Sequence, residues 1–267
     1  ALSSALVDNP ESIHKLNRAQ LVDDSFNLAR AGQLDYPVPL SLGQYASGEP
    51  EYIPLQAFFT SIGYLDGMFR DTKVGKVDGY PALQTYVRSI GTPLYEAEDV
   101  FSLDKDASVI EVFRKDVVRN WMCAYDNADC VNKALVMFRS WMDTDKPDEN
   151  NPIDPDLKQS IYEIAVAKGG DEEFDFLYDR LDNIINTLDS LKIIYGLGSS
   201  ESEDNLIQLL DETIAEDSLI RTQDTRSVYR AVGATAPGRK VQFDWLNTNY
   251  NAIKAYFGNL FPSTVVE

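Results

Sequence analysis

The chain has few of the residues that usually carry out chemistry. It contains one histidine, His14, and two cysteines among 267 residues. A single histidine excludes the H-E-x-x-H zinc motif and argues against a histidine-based catalytic triad. There is also no phosphate-binding loop, no G-x-S-x-G turn and no C-x-x-C pair. We therefore expect a surface or packing role for His14, and no catalytic residue, metal ligand or cofactor in this chain.

Basic residues are scarce as well. The chain has 24 Lys and Arg against 43 Asp and Glu, which gives a formal net charge of −19. The segment from Asp143 to Asp217 alone holds 21 acidic and 5 basic residues. Binding to phosphate backbones or anionic lipids needs clustered Lys and Arg, so nucleic acid is excluded as a partner. The acidic segment is either a solvated face or a docking surface for a cationic partner.

Long apolar runs and glycosylation signals are absent too. No run approaches the 18 or so apolar residues of a transmembrane helix. No N-x-[S/T] triplet occurs, so N-linked glycosylation of this chain is not expected. The start, Ala1 to Ser4, has neither Met nor the pattern of a signal peptide, as expected of a processed or excised fragment.

Helical periodicity is what the sequence has in abundance. The segment from Ser12 to Gly32 has an apolar stripe at helical spacing, with Ser12 expected as N-cap and Gly32 as the residue after the helix. On its polar face, Arg18, Asp23 and Asp24 have no opposite charge three or four residues away. Their partners lie off this helix, or the three charges form a solvated face.

The remaining segments predict an all-α fold of short helices joined by short loops. This pattern is typical of antiparallel helix pairs stacked in series, although the sequence shows no clean internal repeat. A polar loop is expected at 71–79 and a second one at 143–154. The predicted helices after the first are 38–46, 54–69, 81–99 with an interruption at 91–93, 129–142, 155–170, 172–181, 184–197, 203–210, 224–233 and 238–256, together with one that Ser108 caps and that includes 109–121.

Cys123 and Cys130 are seven residues apart. On one unbroken helix their Cα atoms would lie about 10 Å apart, whereas a disulfide needs them within about 7 Å. A disulfide therefore requires a break at 125–129, where Asp126 and Asn127 favour a turn and Asp129 is expected to cap the next helix. Two buried free thiols are the alternative.

Several segments together resemble one protein family. The first, NRAQLVDDSFNLARAG at 17–32, resembles the segment that opens the C-terminal helical domain of the aminopeptidase N family, which are zinc metallo-aminopeptidases of the gluzincin type. The spacing of Cys123 and Cys130 matches that of a disulfide in the family. The other matching segments are Glu51–Leu55, Ile161-Tyr162, Gly169-Gly170, Glu173-Phe174 and Ile220–Asp224.

The resemblance implies a single C-terminal helical domain, 1–267, with a HEAT- or armadillo-like α-solenoid fold whose concave face closes over a catalytic domain. It implies a Cys123–Cys130 disulfide, and hence an extracellular location. The parent enzyme would be anchored to the plasma membrane, by GPI or similar, with its zinc and catalytic residues upstream of this chain. Its partners would be that catalytic domain and peptide substrates, with Arg18, Asp23 and Asp24 at the inter-domain contact.

The chain also departs from the family pattern. Many relatives have a second disulfide where this chain has Glu163 and Ser199. Many relatives also continue for several helices beyond the equivalent of Phe257. A second hypothesis belongs to the class of binding modules: the insect members are gut receptors for bacterial crystal toxins, and the acidic segment would be the docking surface for such a protein toxin.

Overall fold

The computed structural model describes residues 2–70, 79–104, 106–182 and 187–258. All regular structure in these residues is helical and none is strand, which confirms the all-α prediction. The loop expected at 71–79 falls almost wholly outside them. The helices are α1 Leu2–Asp8, α2 Lys15–Arg30, α3 Pro37–Gly43, α4 Tyr52–Phe69, α5 Tyr80–Glu96, α6 Val109–Ala124, α7 Ala128–Met142, α8 Lys158–Gly169, α9 Asp171–Tyr178, α10 Thr187–Leu197, α11 Glu203–Asp211, α12 Thr225–Ala234 and α13 Ala236–Phe257.

Helix α2 begins two residues later than the sequence predicts. Pro10 starts a short 3-10 helix that ends at Ser12, and Ile13 is extended, so Ser12 cannot cap α2. The cap is His14, whose Nδ1 accepts a hydrogen bond from the N–H of Leu16 at 3.4 Å. At the other end Gly32 has a φ of 71°, as predicted for the residue that follows the helix.

Helix α5 runs without a break through Pro93, where the sequence predicts an interruption. A proline removes one helical hydrogen bond, but Ile90 and Leu94 are buried on either side of it and hold the helix against its neighbours. Gly91 allows α6 to come close, because a Cβ at this position would collide with the side chain of Met122. Packing therefore outweighs the local signal for a break.

The chain divides into two compact units, Ala1–Cys130 and Val131–Glu267. Each unit has its own apolar core. In the first unit the fully buried residues include Phe58, Phe59, Ile62, Val87 and Met122. In the second they include Phe138, Phe174, Leu197, Leu206 and Val228.

One sequence separation recurs in the contacts between helices. Five side-chain hydrogen bonds in the described residues join partners 34 positions apart, with lengths of 2.7 to 3.0 Å. Each of them connects a helix, or its adjoining residue, with the second helix after it. The HEAT-like curvature of the array stays a prediction. The five bonds are Tyr95–Asp129, Arg139–Glu173, Asn205–Asp171, Tyr178–Glu212 and Trp245–Asp211.

In the first unit, α2 and α4 lie side by side and parallel. At their amino-terminal ends the Lys15 ammonium is 3.0 Å from a carboxylate oxygen of Glu51, which precedes α4. At their carboxy-terminal ends the Arg30 guanidinium lies 4.2 Å from the centre of the Tyr64 ring. Because one contact joins the two starts and the other joins the two later parts, α2 and α4 run in the same direction.

Helix α6 continues this parallel row beyond α4. The rings of Tyr52 and Phe113, near the start of each helix, are 5.7 Å apart. Farther along, Phe59 stacks on Trp121 with a centre-to-centre distance of 5.0 Å. The amino-terminal ends of α2, α4 and α6 therefore meet at one edge of the first unit.

The structure confirms the disulfide between Cys123 and Cys130. Helix α6 ends at Ala124, and Asp126 takes a left-handed conformation with φ of 57°, so the Cα atoms of the two cysteines come within 5.2 Å. The cap of α7 is Asn127 rather than Asp129. The Oδ1 of Asn127 accepts a hydrogen bond from the N–H of Cys130 at 3.1 Å.

We predict that the double variant Cys123→Ala, Cys130→Ala loses about 2–3 kcal/mol of unfolding free energy, the loss that chain entropy gives for a loop of this length. Urea denaturation of both proteins measures the difference. Thiol titration of the denatured, unreduced wild-type protein should find no free sulfhydryl. Two titratable thiols, or equal stability of the two proteins, would contradict this.

Candidate functional site

Conventional catalytic groups do not come together in the part of the chain that the structure describes. No group of three or more His, Cys, Asp and Glu side chains there is arranged to hold a metal ion. His14 is exposed and serves as a helix cap. None of the helices found within the described ranges is long and apolar enough to cross a membrane. The candidate site is built from the predicted inter-domain charges, Arg18, Asp23 and Asp24.

Arg18 lies inside the first unit, where it forms a two-bond ion pair with Glu49. Its Nε donates to Oε2 of Glu49 and its Nη2 donates to Oε1, both at 2.7 Å. Arg18 is 4% exposed and Glu49 is fully buried. The hydrogen bond from the guanidinium to Glu49 raises the pKa of Arg18 above its usual value.

Three further hydrogen bonds join this pair to the backbone. Nη1 of Arg18 donates to the carbonyl oxygens of Pro10 at 3.1 Å and Ile13 at 2.7 Å, and so holds the 3-10 turn against the start of α2. The N–H of Glu51 donates to Oε1 of Glu49 at 3.0 Å. A buried ion pair needs such additional hydrogen bonds to offset the cost of removing its charges from water.

The sequence leaves two alternatives for Arg18, a partner off its own helix or a solvated face, and the structure shows the first, because the partner is Glu49 of the same chain. An inter-domain role for Arg18 stays a prediction. The missing charge lies 31 residues away, beyond the reach of spacing rules within one helix. One signal did point to it. Glu49 lies two residues before the Glu51–Leu55 segment, which is part of the family resemblance.

Asp23 and Asp24 differ from Arg18 in their surroundings. Both are exposed, and neither forms an ion pair with any residue that the structure describes. Asp23 shares one face of α2 with Leu16, Gln20 and Asn27, all of them exposed. Their inter-domain role stays a prediction, and the structure supplies the open face that it needs.

Further ionisable groups surround Glu49. Burial raises the pKa of Tyr45, and the negative charge of Glu49 adds to this effect. Burial lowers the pKa of Arg114 on α6, while Glu49 acts in the opposite direction. Arg114 forms an ion pair with Glu98. The buried carboxylate of Glu49 thus interacts electrostatically with Arg18 on α2 and with Arg114 on α6.

A set of exposed apolar residues was missed by sequence reasoning. The helical pattern places Val109 and Phe113 on the apolar face of α6, where they are expected to be buried, but both are exposed. The fully or nearly fully buried residues of α6 are instead Val118, Arg119, Met122 and Cys123. Periodicity shows that a helix has an apolar face, but it does not show whether another element covers that face.

The acidic loop at 143–154 is held in place by hydrogen bonds to the helices before and after it in the second unit. The indole N–H of Trp141 donates to the carbonyl oxygen of Pro147 at 2.9 Å. The amide of Asn151 donates to the hydroxyl of Tyr162 at 2.7 Å. Several of the loop's carboxylates remain exposed, so the loop presents negative charge from a fixed backbone.

We predict that Arg18→Met lowers the unfolding free energy by about 3–5 kcal/mol, because it leaves the Glu49 carboxylate buried without a partner. Adding Glu49→Leu should recover most of this loss, since an apolar pair needs no charge compensation. Urea denaturation of the single and double variants measures both effects. As a control, Asp24→Ala should change stability by no more than about 0.5 kcal/mol. A single variant as stable as the double one would contradict the prediction.

Comparisons with known proteins identify a family for this chain. The model of the family described as ERAP1-like C-terminal domain matches residues 1–267, the whole chain. Aminopeptidase N of Plutella xylostella is 29% identical over 263 residues, which is 98% of this chain and 26% of that protein. Aminopeptidase Ey of Gallus gallus is 29% identical over 260 residues, 96% of this chain and 26% of that protein.

A mammalian relative gives the same result. Aminopeptidase N of Rattus norvegicus is 29% identical over 248 residues, 91% of this chain and 25% of that protein. The chain thus spans about a quarter of the length of the curated relatives that it matches. Because the family model covers the chain from end to end, the chain belongs to the ERAP1-like C-terminal domain family.

Proposed function

We propose that the chain is a non-catalytic C-terminal domain of an extracellular zinc aminopeptidase, an enzyme that removes N-terminal residues from peptides. The observation that carries this proposal is the family match over the whole chain, together with relatives that are named aminopeptidases and are about four times as long. In that enzyme the domain closes over the chamber that holds the active site and limits which peptides enter.

The donor groups of this chain do not fit a zinc ion. Zinc sites in proteins are built mainly from His and Cys, with Asp or Glu as further ligands. His14 is the single histidine, and both cysteines form the disulfide. The zinc ligands and the catalytic base of the proposed enzyme therefore belong to its upstream catalytic domain.

The disulfide supports an extracellular location, since such bonds persist in oxidising compartments. We place the parent enzyme at the plasma membrane, held there by a GPI anchor or a similar device. Asp23 and Asp24 are the charges that we assign to the contact with the catalytic domain, because they are exposed and have no ion-pair partner among the described residues.

A second candidate function is a receptor surface for a bacterial crystal toxin or another protein ligand. It is favoured by the acidic segment, which holds 21 acidic and 5 basic residues, and by the fixed backbone of the loop at 143–154. Pull-down of a crystal toxin by this chain would support it. A change in the peptide-hydrolysis kinetics of the complete enzyme when this domain is removed would support the first function.

We predict that the 267-residue chain alone neither binds structural zinc nor hydrolyses an aminoacyl anilide, because it lacks the ligands. The complete polypeptide that contains it should bind zinc in its catalytic domain and hydrolyse the anilide, and a chelator should abolish this hydrolysis. Metal analysis and a chromogenic assay measure these properties. Stoichiometric zinc in the chain alone, or a complete polypeptide without activity, would overturn the proposal.

We predict that Asp24→Asn in the complete polypeptide loosens the packing of the domains and changes the selectivity for peptide length. The same change in the isolated chain should leave its stability within about 0.5 kcal/mol of the wild type, because the group is solvated there. Kinetics with peptides of increasing length and urea denaturation measure the two effects. Asp35→Asn, at another exposed position, is the matched control. Equal, negligible effects in both proteins would mean that Asp24 is only a solvated charge.

A further inference from the structure

The amino-terminal ends of α2, α4 and α6 form an apolar surface in the first unit. We call it the amino-terminal edge. Five of its residues are between 40% and 65% exposed, and the sixth, Tyr52, is half-buried against the ring of Phe113. The edge consists of Leu16, Tyr52, Ile53, Val109, Ile110 and Phe113.

Grouping is what distinguishes these residues from ordinary exposed apolar side chains. Single exposed apolar residues are normal on a protein surface, whereas contiguous ones mark interaction sites. Here they come from the first two turns of three neighbouring helices. The ion pair of Lys15 with Glu51 and the ring contact of Tyr52 with Phe113 join those helices at this level.

The edge is also held rigidly from behind. The buried pair of Arg18 and Glu49 fixes the start of α2 against the segment that leads into α4. The hydroxyl of Ser108 accepts a hydrogen bond from the N–H of Glu111 and caps α6 below Ile110. A surface that is already ordered loses little conformational entropy when a partner covers it.

We infer that the amino-terminal edge is the surface on which the remainder of the polypeptide docks, through an apolar patch flanked by basic side chains. This inference rests on the proposed function. The apolar part follows from the edge itself. The basic flank follows from Asp23 and Asp24, which lie farther along the exposed side of α2 that begins at Leu16 and have no ion pair among the described residues.

Two observations favour this occupant over a second copy of the chain. A copy would bring together two molecules that each carry a net charge of −19, and their mutual repulsion opposes association. The chain also spans only 26% of its Plutella xylostella relative, so most of the length of such a protein lies outside it. A covalently linked partner has a high effective concentration at the edge.

Hydrogen–deuterium exchange tests the inference by comparing the 267-residue chain with the complete polypeptide that contains it. In the complete polypeptide, amides of the peptide 109–117 should exchange at least about tenfold more slowly, the change that about 1.4 kcal/mol of local stabilisation gives. Phe113→Ser should remove this protection. Phe243→Ser is the matched control, because Phe243 is also a highly exposed phenylalanine on a helix, in the second unit.

Each outcome decides the matter. Slower exchange that Phe113→Ser abolishes and Phe243→Ser retains supports the docking surface. If the complete polypeptide hydrolyses aminoacyl anilides but its amides at 109–117 exchange as fast as those of the 267-residue chain, the docking surface is overturned and the proposed function stands. A complete polypeptide that does not hydrolyse aminoacyl anilides would overturn the proposed function instead. A concentration-dependent dimer of the 267-residue chain in sedimentation, dispersed by Phe113→Ser, would assign the edge to a second copy and overturn the inference.

Discussion

Packing of each helix against the second helix after it is the constraint on which most of the described structure depends. Two short helices and their turns take up about 34 residues, and the side-chain bonds between α7 and α9, α9 and α11, and α11 and α13 occur at that separation. Polar partners on these neighbouring helices satisfy one another, while the apolar faces between them fill the core. The spacing of the helices therefore follows from the contacts that each helix makes with the second helix after it.

At the start of the array the helices are joined by a buried ion pair. Arg18 and Glu49 place a complete ion pair inside the first unit and tie the 3-10 turn at Pro10 to α2. A buried pair contributes less to stability than its geometry suggests, but removing one partner is costly, so it selects one arrangement over others. The same pair fixes the position of α2 beside the segment that leads into α4, and with it the surface that both helices present.

Local signals in the sequence predicted most helices to within a few residues, because caps and helix ends depend on neighbours in the chain. Ser108 and Gly32 act where the sequence places them. What local signals do not give depends on distant residues: the identity of Glu49 as the partner of Arg18, and the packing against Met122 at Gly91 that carries α5 through the expected break. The exposed start of α6 belongs to the same class, since periodicity does not reveal which face a neighbour covers. The disulfide needed the family resemblance, because spacing alone left two alternatives.

The recurring separation of 34 residues also bears on how such a chain changes in evolution. A helix that contacts mainly its second neighbours along the chain can be followed by an added pair, or lose one, while the remaining contacts keep their partners. We therefore expect the length of such an array to vary in whole pairs of helices. This accounts for a chain in which the spacing of contacts is regular although no sequence repeat is visible.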